Sequence, residues 1–148
     1  MEAGELSSWL DRLGEEYLEE RVAAGDERER AQRGVARDRA DFFPGGTPAA
    51  GQLVFSLIED GQAVGTLWIG TMPQRPPQHW WVWSIEVDER FRGRGLGRAA
   101  MELAEAEARR GGASRLGLSV FGHNAVARSL YESLGYEAVE LQMSKELL

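Results

Sequence analysis

The chain has 148 residues, 43% of them apolar, with no cysteine, two histidines and a formal net charge of −7. That size suits one domain, residues 1–148, with a real core, and the composition excludes a disordered chain, disulfides, thiolate nucleophiles and cysteine metal sites. No apolar run approaches the roughly 20 residues of a membrane span, and an acidic total argues against general nucleic-acid binding.

The start, "MEAGELSSWLD", is acidic and lacks the apolar core of a secretory signal. His79 and His123 stand far apart in sequence, which argues against a metal centre. The expectation is a cytoplasmic, metal-free monomer or homodimer with neither membrane nor nucleic-acid partners.

Leu6, Trp9, Leu10, Leu13, Tyr17 and Leu18 recur at helical spacing, and Gly25 offers a stop. Asp26 with Glu29 three residues on reads as a capping pair that opens a second helix, ended by "FFPGG". "QLVFSLIE" alternates, turns at Asp60-Gly61 and returns as "QAVGTLWI", a hairpin. The three prolines of "TMPQRPPQ" mark a loop. "WWVWSIEV", residues 80–87, is too apolar to face water on either side and should be a central strand.

After a glycine-rich turn, Leu96, Ala100, Leu103 and Ala104 follow helical spacing up to Gly111-Gly112. "SRLGLSVF" predicts another strand. Asn124 caps a helix through Val126, Ala127, Leu130 and Leu134, closed by Gly135. "YEAVELQMSKEL" alternates again and predicts a last strand. The strand–helix–strand unit implies two parallel neighbours in a mixed sheet, so the fold class is α/β with two N-terminal helices.

Residues 87–100, "VDERFRGRGLGRAA", put four arginines and three glycines into an otherwise acidic chain. A turn from a strand into a helix leaves unpaired amides at the positive end of the helix dipole, where anions bind. Gly93, Gly95 and Gly97 let a phosphate approach the main chain, and Arg92, Arg94 and Arg98 can add guanidinium contacts. The stretch asks for a pyrophosphate. A Walker loop would need Gly-Lys-Ser/Thr where Gly97-Arg98-Ala99 stands. A Rossmann turn would sit at the first strand and need an acid about 20 residues on.

"RGRGLG" after a strand ending "IEV" resembles the Arg/Gln-x-x-Gly-x-Gly signature of the GNAT superfamily of N-acetyltransferases. "NAVARSLYESLGY", residues 124–136, is similar to that family's Asn-x-x-Ala-x-x-Leu-Tyr-x-x-x-Gly-Tyr/Phe helix. The two blocks stand in order, and the similarity covers about residues 50–140. It implies a GNAT-like mixed sheet flanked by helices, with the family's first strand missing or very short here.

It also implies acetyl-CoA as co-substrate, no metal, and direct attack by a primary amine in a ternary complex. By resemblance, amides from Arg92 through Gly93, Arg94, Gly95, Leu96, Gly97 and Arg98 hold the pyrophosphate, and main-chain groups of Ile85 and Val87 pair with pantetheine. The Val87 amide polarises the thioester carbonyl. Asn124 contacts the pantetheine arm, and Tyr131 protonates the departing thiolate.

Glu86 is the candidate base, against the alternative of a carboxylate facing the helices and paired with an arginine. Some relatives carry a glutamate where this chain has Ser119. His123, beside Asn124, and a water chain are further candidates. Tyr131 could instead be a packing aromatic, and Trp80, Trp81 and Trp83 either line a cleft or fill the core.

Two rival functions remain: a non-catalytic acyl-CoA-binding module, and an RNA- or polyanion-binding domain using Arg90 to Arg98. The acceptor is a small-molecule or peptide amine. Residues 1–30 hold ten acids against four arginines, which points to a cationic one if those acids rim the site. The alternative is a solvated face formed by Glu15, Glu16, Glu19 and Glu20.

Overall fold

A computed structural model describes all 148 residues. The chain divides into two compact units, Met1–Gly117 and Leu118–Leu148. Helices α1 (Ala3–Ala23) and α2 (Arg28–Phe42) come first, then β1 (Gln52–Glu59), β2 (Gln62–Thr71) and β3 (His79–Val87). Helix α3 (Leu96–Arg110), β4 (Arg115–Leu118) and α4 (Ala125–Ser133) complete the order. The sheet is mixed, in the order β1-β2-β3-β4, with the first two pairs antiparallel and β4 reached from β3 through α3. No helix is long and apolar enough to cross a membrane.

The apolar pattern of the first unit is spent on two layers against the sheet. On one face Leu6, Trp9 and Leu10 of α1 and Phe43 pack with Phe42 and Trp68. On the other, α3 buries Ala100, Met101, Ala104 and Ala108 against β2 and β3. Leu67 and Ile69 of β2 are fully buried. The β1–β2 hairpin turns where expected, with Asp60 and Gly61 both at positive φ (50° and 77°).

Three sequence expectations fail in detail. Asp26 does not cap α2, whose N-cap is Glu27; its carboxylate accepts from Arg21 Nε at 2.8 Å instead. That ion pair satisfies Asp26 and leaves the cap to its neighbour. The strand expected over "SRLGLSVF" shortens to Arg115–Leu118. Residues 136–148 form no strand despite their alternation. A strand needs a ladder partner, and alternation without one fixes nothing. Trp80 is buried and Trp83 stacks on Trp68 at 5.6 Å, so these two fill the core.

Candidate active site

The register of β2 and β3 shifts between Trp68 and Ile69: Trp68 faces Ser84, whereas Ile69 faces Val82. Trp83 is therefore the extra residue of a β-bulge. It lies under the first two helices, touching Phe42 and Trp68 with ring centroids at 4.9 and 5.6 Å. Ser84 shares that face, because its partner Trp68 meets Trp9 of α1 at 5.9 Å. Two consecutive residues on one face reset the alternation, so Glu86 points toward α1. Its Oε2 accepts from Arg12 Nη1 at 3.0 Å. Glu16, one turn along α1, lies 3.8 Å from the same Arg12 nitrogen. Burial pushes the Glu16 carboxyl above its ordinary pKa, with the charge of Glu86 adding to the effect and Arg12 opposing it.

The edges of β3 are unequal. Asp88 N–H donates to Val64 O at 2.8 Å. Main-chain groups alternate along a strand, so those of Glu86 also turn to β2 while those of Ile85 and Val87 turn away. On that outer edge β4 starts level with Gln78, whose carbonyl accepts from Ser114 and Arg115, and it ends at Leu118. On that side no strand runs alongside Ser84 to Val87.

Gly65 lies opposite Val87, and a Cβ there would run into the main-chain carbonyl of Glu86. That neighbour is backbone and cannot step aside, so the glycine fixes how closely β2 backs the end of β3. Gly65→Ala should push the strands apart here, costing about 1–3 kcal/mol in stability. Denaturant unfolding together with CoA calorimetry checks it: both stability and affinity should fall.

Beyond Val87 a 3₁₀ turn over Glu89–Phe91 buries the Phe91 ring. Arg90 and Arg94 lie over that ring at 4.9 and 5.8 Å from its centroid. Arg92 turns back, its Nε donating to Val87 O at 2.9 Å. Of the arginines expected at the anion, Arg92 instead braces the strand end, because the outward carbonyl of Val87 has no ladder partner. Gly93 and Gly95 adopt left-handed φ angles of 78° and 79°, with nothing within 4 Å of where a Cβ would stand.

Gly95 is the N-cap of α3, and its carbonyl accepts from Ala99 N–H. Leu96 and Gly97 occupy the first turn, whose amides have no intrahelical acceptor, and Arg98 follows them. Such a loop offers main-chain donors and a dipole end to an anion.

In the second unit Asn124 caps α4 as expected, its Oδ1 accepting from Ala127 N–H at 3.1 Å. Tyr131 is half-buried, its ring 6.1 Å from that of Tyr136, and burial raises its phenol pKa. Ile85 to Arg98 thus lie together in one unit, and Asn124 and Tyr131 together in the other. Sequence reasoning missed Arg12 and Thr66, the latter the cross-strand partner of Glu86. The 74-residue separation of Arg12 and Glu86 left no local signal for their pairing.

A mixed sheet flanked by helices, with an open strand edge running through a glycine turn into α3, is the fold class of acetyltransferases. Residues 9–136 match the acetyltransferase (GNAT) family, and the chain belongs to that family. It is 34% identical to the uncharacterized N-acetyltransferase YycN of Bacillus subtilis, over 99% of this chain and 96% of that one. The crystal structure of YycN superposes with a TM-score of 0.84, covering 100% and 96% of the two chains. A second B. subtilis protein, the uncharacterized N-acetyltransferase YdgE, is 33% identical over 72% of this chain and 69% of its own. The aminoglycoside N-acetyltransferase AAC(6′)-Iy, solved with the bisubstrate analogue CoA-S-monomethyl-acetylneamine, shares the fold at 16% identity. Its TM-score is 0.61, over 97% of this chain and 91% of its own. The protein is an acetyltransferase.

Proposed function

We propose that the enzyme moves the acetyl group of acetyl-CoA directly to a primary amine bound at the same time. The observation that carries this reading is the open edge of β3 leading into a loop with Gly93 and Gly95 at left-handed φ at the start of α3. The amides from Gly93 to Gly97 hold the pyrophosphate, with Arg94 and Arg98 adding charge. Ile85 and Val87 offer outward main-chain groups to pantetheine. The family resemblance gives Asn124 a role toward pantetheine, and with its Oδ1 used by its own helix the side-chain NH2 is the group to fill it.

The amine nitrogen attacks the thioester carbon while the Val87 amide stabilises the developing oxyanion. The C–S bond then breaks, and the thiolate takes the Tyr131 proton. A phenol is protonated through the neutral range, and burial raises the pKa of this one further. Before that attack Glu86 takes one proton from the bound ammonium and frees the nitrogen lone pair, and the second proton the nitrogen sheds as the amide forms returns Tyr131 to its phenol form. A screen of amines, each read by release of free CoA thiol, tests the reading. Binding of acetyl-CoA without thiol release for any amine would leave only a carrier module.

The acceptor proposed is cationic, on narrower grounds than the acid count of residues 1–30. Glu19 is neutralised by Arg28 at 3.0 and 3.3 Å, Asp11 by Arg39 and Asp26 by Arg21. Glu16, which shares Arg12 with Glu86, and Glu20, one turn further along α1, are the acids proposed as the negative rim. Reversing both to lysine should lower kcat/KM for a cationic amine relative to a neutral one, most at low salt. An unchanged ratio would leave these glutamates a solvated face.

A further inference from the structure

We infer that the guanidinium of Arg12 is a resident stand-in for the acceptor's ammonium, occupying its place against Glu86 and Glu16 until the amine displaces it. The inference rests on the amine-acetyltransferase reading and adds which side chains hold the ammonium and what guards them. One guanidinium serves two carboxylates, at 3.0 and 3.8 Å, so the cluster keeps one uncompensated negative charge. A single alkylammonium completes the balance. The raised pKa of Glu16 reflects the same deficit of cation, after burial.

Two further observations point to a ligand beside this exposed ion pair. An open cleft of about 380 Å3 reaches Arg12 and Thr66, the partners of Glu86, and is lined also by Trp9, Gly65 and Asp88. Within its lining, the indole N–H of Trp9 and the hydroxyl of Thr66 are buried without any hydrogen-bond partner. Trp9 is only 3% exposed, so its unpaired donor is costly to leave unmet. Thr66 stands across the ladder from Glu86, where directly opposed side chains lie about 5 Å apart.

A primary ammonium has three N–H donors, and the carboxylates of Glu16 and Glu86 with the Thr66 hydroxyl are three acceptors. Displacing Arg12 is cheap, because its side chain is half exposed and an exposed ion pair holds it only weakly. The site therefore selects acceptors with a free primary ammonium.

The test removes the stand-in and offers it back. Arg12→Ala, wild type and the double variant Arg12→Ala/Glu86→Gln are titrated by NMR with millimolar guanidinium chloride, and in parallel with tetramethylammonium, which has no N–H. Guanidinium should bind Arg12→Ala at least about tenfold more tightly than wild type or the double variant, and tetramethylammonium should not. Equal binding to all three proteins, or to none, overturns the inference.

In turnover, Arg12→Ala should lower KM for the amine several-fold with KM for acetyl-CoA unchanged, and guanidinium should compete with the amine in that variant alone. Thr66→Val should raise the amine KM about tenfold without lowering Tm, since it removes an unpaired buried hydroxyl. A raised amine KM in Arg12→Ala, or a lowered Tm with unchanged KM in Thr66→Val, overturns it too. Failure of the transferase reading shows elsewhere, as wild-type protein that releases no CoA thiol with any amine.

Discussion

Gly95→Glu is expected to abolish acetyl-CoA binding while the protein stays folded. The residue caps α3 in the left-handed region, at φ 79°, and a Cβ added there would have no atom within 4 Å. Glutamate therefore meets no steric wall, and its backbone strain amounts to about 1–2 kcal/mol. What changes is the sign of the field. A carboxylate would stand where main-chain amides and the helix dipole await an anion, turning attraction into repulsion. Gly95→Ala carries the same strain without the charge and should keep most of the affinity. Calorimetry with CoA reads both variants, and circular dichroism confirms the fold. Affinity of Gly95→Glu within about twofold of wild type would show that the pyrophosphate lies elsewhere.

Tyr131→Phe should lower turnover by about 10² to 10⁴ with little change in acetyl-CoA affinity, because it removes a proton donor and keeps the ring. The ring packs near Tyr136, a contact that phenylalanine preserves. Burial raises the phenol pKa, so the acid form persists until pH exceeds the ordinary phenol range. Any alkaline fall in wild-type turnover due to this group should begin only there and be absent from the variant. Single-turnover rates across pH make the measurement. Turnover equal to wild type, measured where chemistry limits the rate, would return Tyr131 to a packing role.

Much of this protein is legible from local chemistry. Glycines at 93 and 95 announce a turn that needs left-handed backbone, and both adopt it. Asn124 announces a helix start and provides its cap. Asp60-Gly61 announces a hairpin turn between alternating runs, and the strands pair across it. Each of these follows from preferences expressed within a few residues, so a linear reading reaches them.

Longer-range features escaped such a reading. The tail from Tyr136 alternates as a strand would, yet it forms none, since pairing depends on another segment rather than on its own pattern. Arg92 and Arg94 were expected with Arg98 at the anion, but Arg92 donates to the Val87 carbonyl and Arg94 lies over the Phe91 ring. The sequence leaves Glu86 open between a base and a carboxylate facing the helices and paired with an arginine, and the structure shows it paired with Arg12. In "WWVWSIEV" strict alternation would set Glu86 on the face opposite Trp81 and Trp83. The bulge at Trp83 inserts one residue, and in a structure of period two a single insertion exchanges the faces of everything after it. Sequence by itself determined the fold class, the loop and the helix start at Asn124, because short-range backbone preferences suffice for those. Only the tertiary structure decided that Glu86 meets Arg12 across 74 residues, because register and bulge are settled by packing between strands and helices.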